Sequence, residues 1–145
     1  MVIGNLNQSA GTIFFSKKTQ RYLFVLRSKK NRHENTWAFV GGKVEQNETA
    51  YAALKREIEE ELGFIPIIEK TIPIEQFTSP KKNFEYHTFV SVVEEEFIPI
   101  LNSENKGYAW TTIDGWPRPL HPGVFSTFKI EEIIKKIKTI REIYT

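Results

Sequence analysis

The chain has 145 residues, of which 40% are hydrophobic and 13% aromatic. That is enough apolar material to close one core and offset chain entropy, which argues against disorder and for a single domain over 1–145. Lysine and arginine number 20 against 18 acids, a net +2 that favours no polyanionic partner, and the absence of cysteine excludes disulfides, thiolate metal sites and cysteine nucleophiles.

The opening MVIGNLNQSAG has neither a basic n-region nor an apolar h-region, so no secretory signal is expected. No apolar run approaches the roughly eighteen residues of a membrane span. The expectation is a soluble cytoplasmic protein with no membrane and no DNA among its partners.

In chain order, GTIFFS (11–16) and RYLFVLR (21–27) are β-rich and separated by the turn-like KKTQ, which predicts a hairpin. RSKKNRHENT (27–36) is a polar loop, and WAFVGG then predicts one short strand ending at Gly41 and Gly42. From Thr49 to Leu62 the pattern turns helical. Tyr51, Leu54, Ile58 and Leu62 form an apolar stripe, Thr49 stands at the N-cap, and Gly63 occupies the place of a left-handed C-cap. Strands are expected in FIPIIEKTIPI, FEYHTFVSVVE and YAWTTI. One final helix is expected from near Pro122 to Tyr144, with Phe125, Phe128, Ile133, Ile137, Ile140 and Tyr144 on one side. The pattern as a whole predicts an α+β fold, a mixed sheet with helices packed on it.

The helix at 49–62 carries an unusual acid arrangement. At 100° per residue, Glu57, Glu60 and Glu61 share an arc of roughly 100°, beside the apolar stripe. Like charges at i, i+3 and i+4 repel and weaken a helix by a few tenths of a kcal/mol per pair. A hard divalent cation, Mg²⁺ or Mn²⁺, would reverse that sign and takes carboxylate oxygen by preference. A solvated acidic face has the same pattern, and Glu59, which points away from the others, reads as just that.

The wider stretch GKVEQNETAYAALKREIEEELGF (42–64) sets Gly42, Glu48, Arg56-Glu57-Ile58, Glu60-Glu61 and Gly63-Phe64 at fixed intervals. This resembles the complete Nudix box, and the order of strands and helices around it is similar to the Nudix fold, which implies an α/β/α sandwich around the mixed sheet. The resemblance implies metal-dependent hydrolysis of a pyrophosphate bond in a nucleoside diphosphate linked to some group X. It implies Glu57, Glu60 and Glu61 as metal-binding carboxylates, the Gly41 carbonyl as a further ligand, and Arg56 with Glu48 as the brace behind them. Glycine at 41 and 42 lets backbone approach phosphates. Relatives commonly have proline before the glycine pair and glycine before the first box glutamate. Here these are Val40 and Asn47, and asparagine tolerates left-handed backbone. Glu104, in NSENKGYAW, is the candidate for an additional acid acting as ligand or base, with Glu94, Glu95 and Glu96 as alternatives.

For the substrate, Arg27, Lys29, Lys30 and Arg32 can steer a phosphate, and Phe84 and Tyr86 can meet a base. His121, in RPLHPGV, reads as structural, and Trp37, Tyr108 and Trp110 as core. Some ADP-ribose-cleaving members carry a proline about sixteen residues past the box, where this chain has Pro80. Resemblance thus points to ADP-ribose or a related nucleotide sugar, with diadenosine polyphosphates or nucleoside triphosphates as alternatives. A non-catalytic nucleotide sensor would be expected to lose box glutamates, and this chain keeps them all. A small nucleotide is the implied partner, and pairing of two copies stays open.

Overall fold

A computed structural model describes residues 7–145; the start of the opening segment, residues 1–6, lies outside the described residues. Strands β1 (Asn7–Ser16), β2 (Tyr22–Arg27), β3 (Trp37–Ala38) and β4 (Val40–Lys43) precede helix α1 (Ala50–Leu62). Strands β5 (Lys70–Thr78), β6 (Phe84–Val93) and β7 (Asn105–Thr111) follow, then a 3₁₀ turn at Ile113–Gly115 and helices α2 (Pro122–Phe128) and α3 (Glu131–Ile143). Among the described residues no helix is long and apolar enough to cross a membrane.

The strands form one mixed sheet. β1 and β2 meet as the expected hairpin, Phe15 opposite Tyr22, and then splay apart. Beyond the hairpin β1 lies between antiparallel β4 and parallel β6, while β2 lies between antiparallel β3 and β7. The expected single strand WAFVGG is therefore two. Ala38 pairs with Val25 of β2, Val40 pairs with Thr12 of β1, and the chain changes partner at Phe39. The break lets Phe39 bury its ring against Phe128, 5.8 Å away between centroids.

Alternation along the strands builds a core on each face. Ile13, Phe15, Tyr22, Phe24, Val90 and Val92 face α2 and α3, while Ala10, Phe14, Leu23, Val25 and Val93 face α1. The result is the α/β/α layering expected from the sequence. Within α1 the stripe narrows to Ala53, Leu54, Ile58 and Leu62; Tyr51 is 51% exposed, because it sits on the first turn before the helix meets the sheet. Tyr108 is likewise not core: it is 39% exposed, whereas Trp110, two residues on and on the same face of β7, is buried against Phe97.

Two more expectations are corrected. FIPIIEKTIPI becomes strand only at Lys70, since Pro66 has no N–H to give a ladder. The last helix is two, broken at Ile130, whose extended backbone caps α3. In one continuous helix the five-residue step from Phe128 to Ile133 would turn the second row away from the first. The break restores Val124 and Phe128, and then Ile133, Ile137 and Ile140, to the same core. Phe125 is left outside, half exposed.

Candidate active site

Helix α1 is fixed at both ends before it presents any chemistry. The Thr49 hydroxyl accepts from the Ala52 N–H at 3.0 Å, and Gly63 ends the helix at φ 80°. Packing of Leu54, Ile58 and Leu62 on the sheet turns the adjoining arc inward, so Glu57 and Glu61 are only 8% and 3% exposed. Glu60 lies farther round, its side chain 50% exposed and within 3.5 Å of Arg56 Nη1. Glu59 is exposed.

The acids that converge are Glu57, Glu61 and Glu104, with one carboxylate oxygen of each within 4.8 Å of the others. Glu60, grouped with Glu57 and Glu61 from the sequence, is not in this trio. Glu104 arrives from the segment before β7, where its backbone is pinned from two sides. Its carbonyl accepts from Ser28 N–H at 2.9 Å and Asn31 Nδ2 at 2.6 Å, and its N–H donates to Asn102 Oδ1 at 2.8 Å. Asn102 in turn donates to the Glu60 carbonyl at 2.9 Å, tying this segment to α1. The alternatives Glu94, Glu95 and Glu96 pair instead with Lys17, Lys18 and Arg21.

The site's electrostatics follow from crowding acids out of water. Burial drives the Glu61 carboxyl well above the usual carboxylate range, and the charges of Glu57 and Glu104 push the same way. Against this, Glu61 accepts from Asn105 Nδ2 at 2.9 Å and from the Gly41 N–H at 3.0 Å. Burial also raises Glu57, with Arg56 opposing it. Three converging carboxylates, two of them buried, offer oxygen donors only and suit a hard divalent cation that would neutralise them. Asn105, buried beside Glu61, was not singled out in the sequence; its only signal there is adjacency to Glu104.

Arg56 spans the back of the trio. Its Nε and Nη2 fork onto the two oxygens of Glu48 at 2.8 and 2.9 Å, Nη1 reaches Glu57 at 2.9 Å, and Nη2 reaches the Lys43 carbonyl at 3.0 Å. This pairing holds Glu48 down at about 2, helped by the Glu45 N–H. Asn47, at φ 69°, takes the left-handed turn that its side chain permits.

Gly42 lies against the Glu57 carboxylate so closely that a Cβ there would stand 2.5 Å from its carboxyl carbon. Gly42→Ala is therefore expected to displace Glu57 and cut activity at least about tenfold, with the fold kept because the far end of a side chain can move. Unchanged kcat/KM with an unchanged melting curve would show that the Glu57 position is immaterial.

The other side of the glycine pair borders a cavity of about 480 Å³, walled by β4, the outer ends of β5 and β6, and α2. Of the residues selected from the sequence, Arg27, Gly41, Gly42, Phe84 and Tyr86 line it. Lys29, Lys30 and Arg32 are exposed on the loop beyond Arg27, and Pro80 stands exposed at the tip of the β5–β6 turn, outside the lining. The Tyr86 hydroxyl lies over Gly11, where a side chain would collide with it.

His121, read as structural, also lines the cavity. It is carried there by a bridge of Leu120 to Trp37, and its Nδ1 accepts from the Gly123 N–H at 2.9 Å. Burial, with Arg27 and His33 nearby, lowers it to about 4, so the ring is neutral at pH 7. Phe39, Glu75 and Thr127 are further lining residues with no local sequence signal.

The known proteins that resemble this chain agree with the geometry. The NUDIX domain family matches residues 5–128. An 8-oxo-dGTP diphosphatase of Buchnera aphidicola is 31% identical over 72 residues, a match spanning 50% of this chain and 56% of that protein; the chain thus spans about half the length of this curated relative. Among solved structures, a Nudix hydrolase from M. Smegmatis, RenU, superposes with a TM-score of 0.71 at 18% identity, covering 96% of this chain and 89% of that one. The NUDIX domain of Shewanella oneidensis NrtR, complexed with ADP ribose, gives 0.62 at 13% identity over 99% and 91% of the two chains. At these identities the solved structures establish a shared fold. With the family match over most of its length and the box intact on α1, the chain belongs to the Nudix family.

Proposed function

We propose that the protein hydrolyses a pyrophosphate bond in a nucleoside diphosphate linked to a further group X, using a divalent cation, Mg²⁺ or Mn²⁺. The observation that carries this reading is the double boundary at Gly41–Gly42. The acid trio lies against one side of that segment, and a nucleotide-sized cavity opens on the other. A diphosphate chain leaving the cavity along these glycines would meet Glu57, Glu61 and Glu104.

In this reading Glu57, Glu61 and Glu104 hold the cation, with the Gly41 carbonyl beside them and Glu60 at the solvent edge. The bound cation supplies charge neutralisation at the phosphates and lowers the pKa of attacking water. The chain's own groups do the positioning. Arg56 orients Glu57 and keeps it from swinging into solvent. Arg27, with Nε tied to the Arg32 carbonyl at 2.8 Å, turns its charge toward the phosphate path. Glu104 is the least buried of the trio and is placed to accept the proton that water loses as its oxygen bonds to phosphorus. The bridging oxygen departs on the other phosphate, so solvent oxygen enters one product only.

ADP-ribose, the candidate from the sequence, and 8-oxo-dGTP, the substrate named for the Buchnera relative, both contain the required linkage. The test is turnover of ADP-ribose, diadenosine polyphosphates, 8-oxo-dGTP and the ordinary triphosphates under one metal condition, repeated in EDTA. Activity is expected to vanish in chelator and return with Mg²⁺ or Mn²⁺. Full turnover in EDTA, or no cleavage of any member of the panel with metal, would sink the reading. A preference of tenfold or more for a triphosphate over ADP-ribose would remove the nucleotide-sugar assignment alone.

A further inference from the structure

Glu75 lines the cavity on the side away from the acid trio. It stands on β5 where the pairing with β6 slips by one residue between Pro73 and Glu75. That irregularity allows two successive side chains to face the same way. Ile74 enters the core under α3, and Glu75 reaches Thr127 of α2. Both of its hydrogen bonds come to a single oxygen. Thr127 Oγ1 donates to Oε1 at 2.8 Å, and Thr88 Oγ1 donates to it at 3.3 Å. No basic side chain forms an ion pair with it among the described residues. Around it the wall is largely aromatic, with Phe39, Phe77 and Tyr86.

The second oxygen of Glu75 has no protein donor, and Glu75 is only partly buried and lines the cavity, so a ligand there can supply one. The flat aromatic surroundings suit a purine, which gains from stacking. We propose that Glu75 selects the base, taking a purine edge that presents two adjacent N–H donors, as guanine does through N1–H and its 2-amino group. Adenine offers one amino donor beside a ring acceptor, and that acceptor's lone pair would face the carboxylate. Hypoxanthine keeps N1–H and lacks the second donor, so it falls between them. A site built around a hydrogen-bonding group rejects analogues that leave that group unpaired. Adenine-bearing substrates, ADP-ribose included, would then be poorer than their guanine counterparts. This inference rests on the reading of the site as one for nucleotides, but its test needs no turnover.

The experiment is equilibrium binding of GDP, IDP and ADP to the intact protein in EDTA, followed by the same titrations on Glu75→Gln. Wild type is expected to bind in the order GDP, IDP, ADP, with at least a tenfold span, about 1.4 kcal/mol. The glutamine amide oxygen still accepts from Thr88 and Thr127, so the tie to α2 survives, while its N–H₂ now faces the ligand as a donor. The span should shrink below about twofold or invert toward ADP, with the melting temperature little changed. Thr127→Val, which removes the tie and leaves the carboxylate, should keep the wild-type order. Equal binding of the three diphosphates by wild type, or no binding of any, overturns the proposal even if the glutamine variant fails to fold. So does a Glu75→Gln protein that keeps the wild-type ratio. If the order holds but no substrate is cleaved with metal, the hydrolase reading falls and base selection by Glu75 stands.

Discussion

Glu61→Gln is expected to lower kcat/KM at least about a hundredfold, close to 2.7 kcal/mol of transition-state stabilisation, while the protein still folds. Glu61 is the most enclosed of the trio, and both its oxygens are already engaged by Asn105 and Gly41. The amide keeps the shape but removes a charge and replaces one acceptor with a donor, which then opposes either Asn105 Nδ2 or the Gly41 N–H. That lost bond costs about 1 kcal/mol, and release from burying a charge among Glu57 and Glu104 offsets it in part, so melting should move by a few degrees at most. Glu60→Gln separates the two descriptions of the site. Half exposed and outside the trio, it should cost much less than Glu61→Gln. Glu59→Gln, on the solvent side, should be nearly silent. Equal losses at Glu59 and Glu61 would mean that the helix face has been assigned wrongly.

What the sequence made legible, and what it did not, divides along the length scale of the interactions. The α1 caps and its orientation depend on spacings within a few turns and were readable, whereas the Arg56–Glu48 brace was implied by the likeness to the Nudix box. Glu104 was a candidate because of its place before a strand. Its choice over Glu94, Glu95 and Glu96 depends on Ser28, Asn31 and Asn102, contacts with no spacing rule behind them. Hydrophobic periodicity ran through Ile130 because both halves of the last helix are amphipathic, and only the common core shows that their phases differ. The cavity was the least readable part. Phe39 turns inward because a strand changes partners, Glu75 because β5 slips its register, and His121 because Leu120 bridges to Trp37. Pro80 was legible as a turn former, and at the hairpin tip a turn former is what its surroundings make it.

Arg56→Lys should lower kcat/KM by roughly tenfold to a hundredfold and lower the melting temperature by several degrees, although it conserves charge. The guanidinium reaches Glu48 through two parallel bonds, Glu57 through a third and the Lys43 carbonyl through a fourth. An ammonium offers three donors from one point and cannot span Glu48 and Glu57 together, so Glu57 loses its tether and the loop carrying Gly41–Gly42 loses its tie at Lys43. The pH dependence gives this prediction its sign. Glu48 is held at about 2 in the folded protein against an ordinary 4.5. A lowered folded-state value means stability that is present above 4.5 and is lost as pH falls toward about 2, as the unfolded chain takes up the proton first. The gap in melting temperature between wild type and Arg56→Lys should therefore be widest near neutrality and should narrow through that acid range. Glu48→Gln should flatten the same limb of the wild-type curve while disturbing turnover less, because Arg56 keeps its bond to Glu57. A gap that stayed constant down to pH 2 would show that the fork onto Glu48 contributes nothing to holding α1 against the glycine loop, and the loss of activity would then need a cause at Glu57 alone.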